Sequence, residues 1–305
     1  MAALVSPQQH TSDIRTIKDW RIEIRTSPAG APPGVPSSIK VTDISAAAAA
    51  VAAAAQEGAP ELVYQIQYIK GVAYPAWCPE QRWARLQSLP LRSDDVLVVS
   101  YPKCGTTWAE QCILLLQTRC DVSKINPASK NVYCPGQGHA GKIWPEACVE
   151  QNPQVHLKTG LEFVPISQAD FDTAPAPRTI KSHAPPHLLL TGMGCTTGTG
   201  TGPEHTAASP LDLLPAATKL LVVTRNPLDA CVSSYYHAWN PAKSGWPFSA
   251  WAAAWLSGNV PHGCWFQWVR AWKQESARHP DRILWVQFED LKADPVATVR
   301  RVAQW

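Results

Sequence analysis

The sequence predicts an α/β protein, a three-layer sandwich built on a mostly parallel central sheet. Three observations lead there. Short apolar runs at 95–100, 178–182, 219–224 and 283–288 alternate with segments of helical pattern, which favours a parallel sheet covered by helices on both faces. The polar segments that look capable of chemistry all follow the carboxyl ends of such runs, where open α/β sheets bind their ligands. The 305 residues are 45% apolar and 17% charged, enough for one sizeable core with extra material.

Taken in order, the first 60 residues read as a separate extension. Ala29 to Ser38 is rich in proline, glycine and serine, hence extended. The alanine tract after Asp43-Ile44-Ser45 has the makings of a short helix capped by Asp43 or Ser45, marginal on its own. Asp13, Asp19 and Glu23 fit poorly with an acid-poor transit peptide. Residues 1–60 are therefore expected to be disordered or loosely packed, and 61–305 to form the folded domain.

The most informative segment is Ser100-Tyr101-Pro102-Lys103-Cys104-Gly105-Thr106-Thr107-Trp108. It follows the valine-rich run Asp95-Val96-Leu97-Val98-Val99 and precedes a helical stretch, Ala109 to Gln117. A helix start binds anions, because its N–H groups point outward and the dipole favours negative charge. Lys103 adds a positive charge, Gly105 permits close backbone approach, and Thr106 and Thr107 add hydroxyl donors. The segment reads as a phosphate cradle. It is not the G-x-x-x-x-G-K-[ST] loop, because its lysine precedes its only glycine.

The order Y-P-K-x-G-T-T-W resembles the 5′-phosphosulfate loop of the cytosolic sulfotransferases, which use 3′-phosphoadenosine 5′-phosphosulfate (PAPS). Two more segments resemble that family, in its order. Pro177-Arg178-Thr179-Ile180-Lys181-Ser182-His183-Ala184-Pro185 is similar to P-R-x-x-K-[ST]-H-x-P, whose histidine is the family's base. Leu220 to Asp229, with Thr224-Arg225-Asn226-Pro227-Leu228-Asp229 at its end, is similar to the 3′-phosphate motif, and Ser233 stands eight positions after Arg225 as the family requires. Ser234, next to it, departs from the usual aromatic. Weaker likeness extends to Tyr68-Ile69-Lys70-Gly71-Val72, to Gly263-Cys264-Trp265-Phe266 and to Ile283 through Leu291.

The resemblance implies a P-loop-containing nucleotide hydrolase-like (sulfotransferase) fold and sulfuryl transfer from PAPS to a hydroxyl or amine of a small acceptor. His183 is the implied base, since imidazole titrates near neutrality. Lys103 is implied to stabilise charge on the leaving 5′-phosphate oxygen. Lys181, two residues before His183 and so on the same strand face, is implied to address the sulfuryl oxygens. Lys103, Cys104, Gly105, Thr106, Thr107 and Trp108 would line the cofactor, with Trp108 stacked on adenine, while Arg225 and Ser233 would grip the 3′-phosphate. The family continues with a segment R-K-G-x-x-G-x-x-K that closes over the cofactor, and carries a dimerisation motif there. Residues 61–305 are accordingly read as a domain lacking that segment, with a low-complexity insertion at 192–209. Oligomeric state is left open.

Other classes fit less well. The net charge of +3 is too mild for a nucleic-acid partner, and no run is long enough to span a membrane. The nine cysteines include no C-x-x-C pair, so neither a zinc site nor a disulfide framework is expected; reduced thiols in the cytosol are, with a stabilised thiolate at Cys104 in its loop. A nucleotide-dependent kinase would need a Walker-type lysine and an acidic magnesium site; no metal is expected. A binding protein that keeps the pocket without turnover is the other alternative, against which Lys103, Lys181 and His183 speak. Trp265, Trp268 and Trp272 recur at helical spacing and read as a core stripe, as do Trp251 and Trp255. Asp229, Glu289 and Asp290 read as loop braces.

Overall fold

The structure, a computed structural model, describes residues 14–17, 20–25, 37–43, 61–75, 78, 90–125, 140–148, 167–189, 209–237, 246–258 and 260–305. In chain order the strands and helices are β1 Ile14–Ile17, β2 Trp20–Arg25, β3 Ser37–Asp43, β4 Glu61–Ile69, β5 Val72–Pro75, β6 Val96–Ser100, α1 Thr106–Gln117, β7 Lys142–Ile143, α2 Pro145–Cys148, α3 Gln168–Thr173, β8 Thr179–Ser182, α4 Pro186–Leu189, β9 Lys219–Thr224, α5 Pro227–Tyr235, α6 Phe248–Ser257, α7 Trp265–Arg278, β10 Ile283–Gln287, α8 Phe288–Ala293 and α9 Pro295–Gln304. They divide into two compact units, Met1–Ala76 with Pro241–Cys264, and Trp77–Asn240 with Trp265–Trp305.

The first unit differs from the sequence expectation. Three strands, β1 to β3, lie within the residues assigned to a disordered extension, and the expected boundary at residue 60 falls inside this unit. They join β4 and β5 in an antiparallel sheet of order β1-β2-β3-β4-β5. The physical reason is readable afterwards: Trp20-Arg21-Ile22-Glu23-Ile24-Arg25 alternates apolar and charged residues with the period of a half-buried strand, a pattern hidden by the proline-rich stretch that follows. Helix α6 carries buried Trp251 and Trp255, as the stripe predicts. It ends at Gly258 with φ 77°, where a Cβ would lie 2.7 Å from that of Cys264. The alanine tract and the 192–208 part of the expected insertion lie outside the described residues.

The second unit holds the predicted sheet. Its strands run β10-β9-β6-β8-β7 and every pair is parallel. The four runs anticipated from sequence are β6, β8, β9 and β10, correct to within a residue or so; the two-residue edge strand β7 is additional. Both sheet faces are covered. Val98, Leu221, Val223 and Val286 pack with Ala109 and Ile113 of α1 and Val302 of α9. The alternate residues Leu97, Val99, Ile180, Leu220 and Val222 are fully buried on the other side. That is why these strands read as continuous apolar runs. At the amino ends of β6 and β8, the guanidinium of buried Arg178 donates to Asp95 at 2.7 and 2.5 Å and to the Phe171 carbonyl at 2.8 Å, and stacks on the Phe171 ring. The opposite ends are left to the loops that carry the chemistry.

Candidate active site

The chain leaves β6 through Tyr101, Pro102 and Lys103 and enters α1 at Gly105. Lys103 adopts φ 68° and Gly105 φ 96°, a conformation that glycine alone takes without strain. At Gly105 a Cβ would sit 2.5 Å from Cδ2 of Phe288, so the glycine is needed for space as well as for φ. No side chain caps α1. The N–H groups of Thr106 and Thr107, at its first two positions, have no acceptor within the helix. This is the geometry of an anion cradle.

The loop residues divide in use. Thr107 and Trp108 are exposed. Thr106 is buried, and its hydroxyl pairs with that of Ser100 at short range, so it braces the loop instead of facing outward. Cys104 is fully buried and its N–H donates to the Tyr101 carbonyl at 3.3 Å. Burial pushes its thiol up to about 12, and the Trp265 indole and the Arg225 charge pull it back only in part. The expected thiolate is therefore corrected: without water around the sulfur the anion is disfavoured. The Lys103 ammonium lies 3.1 Å from Nδ1 of His237.

His183 sits at the end of β8, next to the end of β6. Its Nδ1 is 2.7 Å from the Ser100 carbonyl oxygen. A carbonyl only accepts, so Nδ1 carries the proton in the neutral ring and the lone pair is on Nε2. The backbone around it is pinned from both sides. Glu146 Oε1 accepts from the His183 N–H at 3.1 Å and the Ser182 hydroxyl at 2.6 Å. The indole N–H groups of Trp268 and Trp272 donate to the carbonyls of His183 and Ala184 at 2.9 and 3.2 Å. The Trp268 and Trp272 positions in the core stripe thus also hold the histidine loop, while Trp265 is only partly buried. Trp144 meets the His183 ring edge-on, with centroids 5.5 Å apart.

Lys181 is almost wholly buried, its ammonium 4.0 Å from the centre of the Trp144 ring and 3.7 Å from Glu110 Oε1. Lys181 and His183 thus share Trp144, as their spacing on one face predicts. Burial lowers the Lys181 pKa, and the Glu110 charge works against that shift. The other oxygen of Glu110 accepts from Lys142 Nζ at 2.7 Å. Burial raises the Glu146 carboxyl, against the hydrogen bond from Ser182.

Arg225, at the end of β9, closes the other side. Its guanidinium donates to the Lys103 carbonyl at 3.2 Å, stacks 4.6 Å over Phe288 and lies 3.9 Å from Asp229. Its buried Nε has no hydrogen-bond partner among the described residues. Phe288 in turn meets Trp108 edge-on at 5.9 Å. Glu289 accepts from the Asn226 N–H at 2.9 Å, the brace its position suggested. Ser233 is half-buried on α5, while Ser234 is buried and donates to its own helix at Ala230.

Gly105, Trp108 and Arg225 therefore come together around Phe288, with the Lys103 carbonyl bonded to Arg225, and His183 and Lys181 come together around Trp144. Ser100 links the two groups. Sequence reasoning missed Glu110, Lys142, Glu146, Trp144 and Phe288's spacing role. Glu110 left a signal: it precedes buried Ile113 and Leu114 by three and four residues, a carboxylate on the buried face of a helix. A separate cavity of about 440 Å³ lies by the amino end of β8 and the end of α1, lined by Gln117, Arg119, Ile143 and Arg178, and includes none of the site residues. Among the described residues no group of three or more His, Cys, Asp or Glu is placed to hold a metal ion.

A parallel α/β sheet with an anion cradle, a buried histidine and an arginine at its strand ends has the layout in which open α/β sheets place their ligand sites. The family model described as the sulfotransferase domain matches residues 93–193 and 204–305, and the chain belongs to that family. Sulfotransferase 1A1 of Canis lupus familiaris is 28% identical over 243 residues, covering 79% of this chain and 68% of that protein. Sulfotransferase 2A6 of Rattus norvegicus is 25% identical over 243 residues, covering 78% and 69%. Among solved structures, a putative steroid sulphotransferase of Arabidopsis thaliana superposes with TM-score 0.51 at 22% identity, over 79% of this chain and 71% of that one. A retinol dehydratase, solved with androsterone and the inactive cofactor PAP, gives TM-score 0.50 at 20% identity, over 79% and 67%. The fold is the P-loop-like sulfotransferase fold, expected from sequence.

Proposed function

We propose that this domain transfers a sulfuryl group from PAPS to a hydroxyl or amine of a small acceptor, with His183 as base. The observation that carries the reading is the shared end of β6, β8 and β9, where an uncapped helix start, a tautomer-fixed histidine and a partly unpartnered arginine converge. Membership of the sulfotransferase family supports it, as does the PAP named with a retinol dehydratase of the same fold.

The residues fit a phosphate-rich adenosine nucleotide. Thr106 and Thr107 N–H groups and Lys103 suit the 5′-phosphosulfate end, and the exposed ring of Trp108 suits a base. Arg225, with its unpartnered Nε, and Ser233 suit the 3′-phosphate. Nε2 of His183 takes the acceptor proton as the acceptor oxygen or nitrogen bonds to sulfur. The sulfur–oxygen bond to the 5′-phosphate breaks in line, and Lys103 stabilises the charge left on that oxygen. Lys181 meets the charge on the sulfuryl oxygens. The acceptor is read as a phenol, alcohol or amine, and the setting as cytosolic, with the described cysteines free thiols. Among the described residues no helix is long and apolar enough to cross a membrane.

Two measurements test this. By calorimetry the chain is expected to bind PAP far more tightly than AMP. His183→Ala is expected to keep PAP binding and to lower turnover of PAPS with a phenol and alcohol panel by about 10²–10⁴-fold. Equal binding of AMP and PAP overturns the nucleotide; full turnover in His183→Ala overturns the base.

A further inference from the structure

One buried carboxylate stands between two buried ammonium groups. The side chains of Glu110, Lys142 and Lys181 are 2%, 7% and 8% exposed. The sharing is unequal. Lys142 hydrogen-bonds Glu110 Oε2 at 2.7 Å, whereas Lys181 stands 3.7 Å from Oε1, beyond hydrogen-bond reach. Glu110 Oε1 has no hydrogen-bond partner among the described residues, so it would accept one from Lys181 if that side chain moved closer.

We propose that Lys142 is a positioning residue of this site: by occupying Glu110 it keeps Lys181 loosely held, so that the Lys181 charge is available to the group being transferred. The inference rests on the sulfuryl-transfer reading above. Neither Lys142 nor Glu110 lies in the three sequence motifs. The charges make the case. Glu110, Lys142 and Lys181 together leave one positive charge in a site with little water, which is costly unless something compensates it. The Trp144 face beside Lys181 does so weakly. Glu146, the other carboxylate here, gives one oxygen to Ser182 and to the His183 N–H, and burial favours its protonated, neutral form. An incoming anionic oxygen completes the pairing. Without Lys142, the same low dielectric draws Lys181 onto Glu110 as a closed pair, and its charge is spent internally.

The test uses the full chain, Lys142→Met, and Lys142→Met with Glu110→Gln. Side-chain ¹³C NMR of labelled lysines follows the Lys181 titration, its resonance identified by loss in Lys181→Met. Calorimetry with PAP and with PAPS reads the cradle and the sulfuryl contact separately. The expected result is a Lys181 titration moved up by about one unit or more in Lys142→Met, with PAPS binding weakened at least fivefold and PAP binding unchanged. In the double variant both return to within about twofold of the parent. Because the double variant keeps the same Met, recovery excludes misfolding as the cause. An unmoved Lys181 titration in Lys142→Met overturns the inference, as does a double variant that binds PAPS as poorly as the single one. If the parent chain binds neither nucleotide, the sulfuryl-transfer reading fails, and the Lys181 titration alone decides whether Lys142 partitions Glu110 from it.

Discussion

Cys104 shows how far a residue's setting overrides its neighbourhood in sequence. It stands between Lys103 and Gly105 in an anion cradle, yet its sulfur is turned into the core and its titration rises to about 12. The sign follows from burial: water that would solvate the thiolate is absent, so the neutral thiol is favoured at every physiological pH. Cys120, by contrast, is exposed just after α1. Treating the folded chain with iodoacetamide at pH 8 should therefore label Cys120 and leave Cys104 unmodified, as read by peptide mass spectrometry. Rapid labelling of Cys104 would show that the loop opens or that the sulfur faces solvent. A similar division runs through the two threonines. Thr106 spends its hydroxyl on Ser100, which also offers its carbonyl to His183, so the residue that opens the loop also orients the ring.

At the scale of elements, the buried pair Asp95–Arg178 ties the start of β6 to the start of β8. Those two strands deliver the cradle and the histidine at their other ends, so the pair fixes where both emerge. Asp95→Ala leaves a buried guanidinium without its counter-ion, which costs about 3–5 kcal/mol. For a domain of this size the melting temperature should fall by roughly 6–20 °C, measured by calorimetry. A shift under about 2 °C would mean that the Phe171 and Pro90 carbonyls alone satisfy Arg178. Elements like these were legible because they bury both faces: Val96 to Val99 and Leu220 to Val223 are apolar throughout, and each run leads within two residues into a loop with chemistry of its own. The unit containing β1 to β5 was not legible. Its strands, even where they alternate as cleanly as Trp20 to Arg25, are separated by proline-rich and alanine-rich stretches that dominate the composition. The pairing of Glu110 with Lys142 was also hidden, because residues 32 apart meet only through the tertiary fold.

In the second unit, a group buried near the site contributes a pH dependence of definite sign to stability. That group is Glu146. It is buried, bonded through one oxygen to Ser182 and His183, and its other oxygen has no hydrogen-bond partner among the described residues. Burial raises its pKa above the ordinary 4.5, with the Ser182 hydroxyl opposing. The folded chain therefore holds this proton more tightly than the unfolded chain does. Below 4.5 both states are protonated and the group is neutral to stability. As pH climbs from there through the raised folded value, the unfolded state ionises first and gains, so stability is lost. Glu146→Gln cannot ionise, yet its amide oxygen can still accept from Ser182 and from the His183 N–H. The melting temperature of Glu146→Gln relative to the parent should accordingly rise between pH 4 and pH 7. A gap that is constant with pH would mean that Glu146 titrates alike in both states, and that the contacts around it match the loss of water. A gap that narrows would reverse the sign and make the carboxylate, not the carboxylic acid, the form this fold prefers.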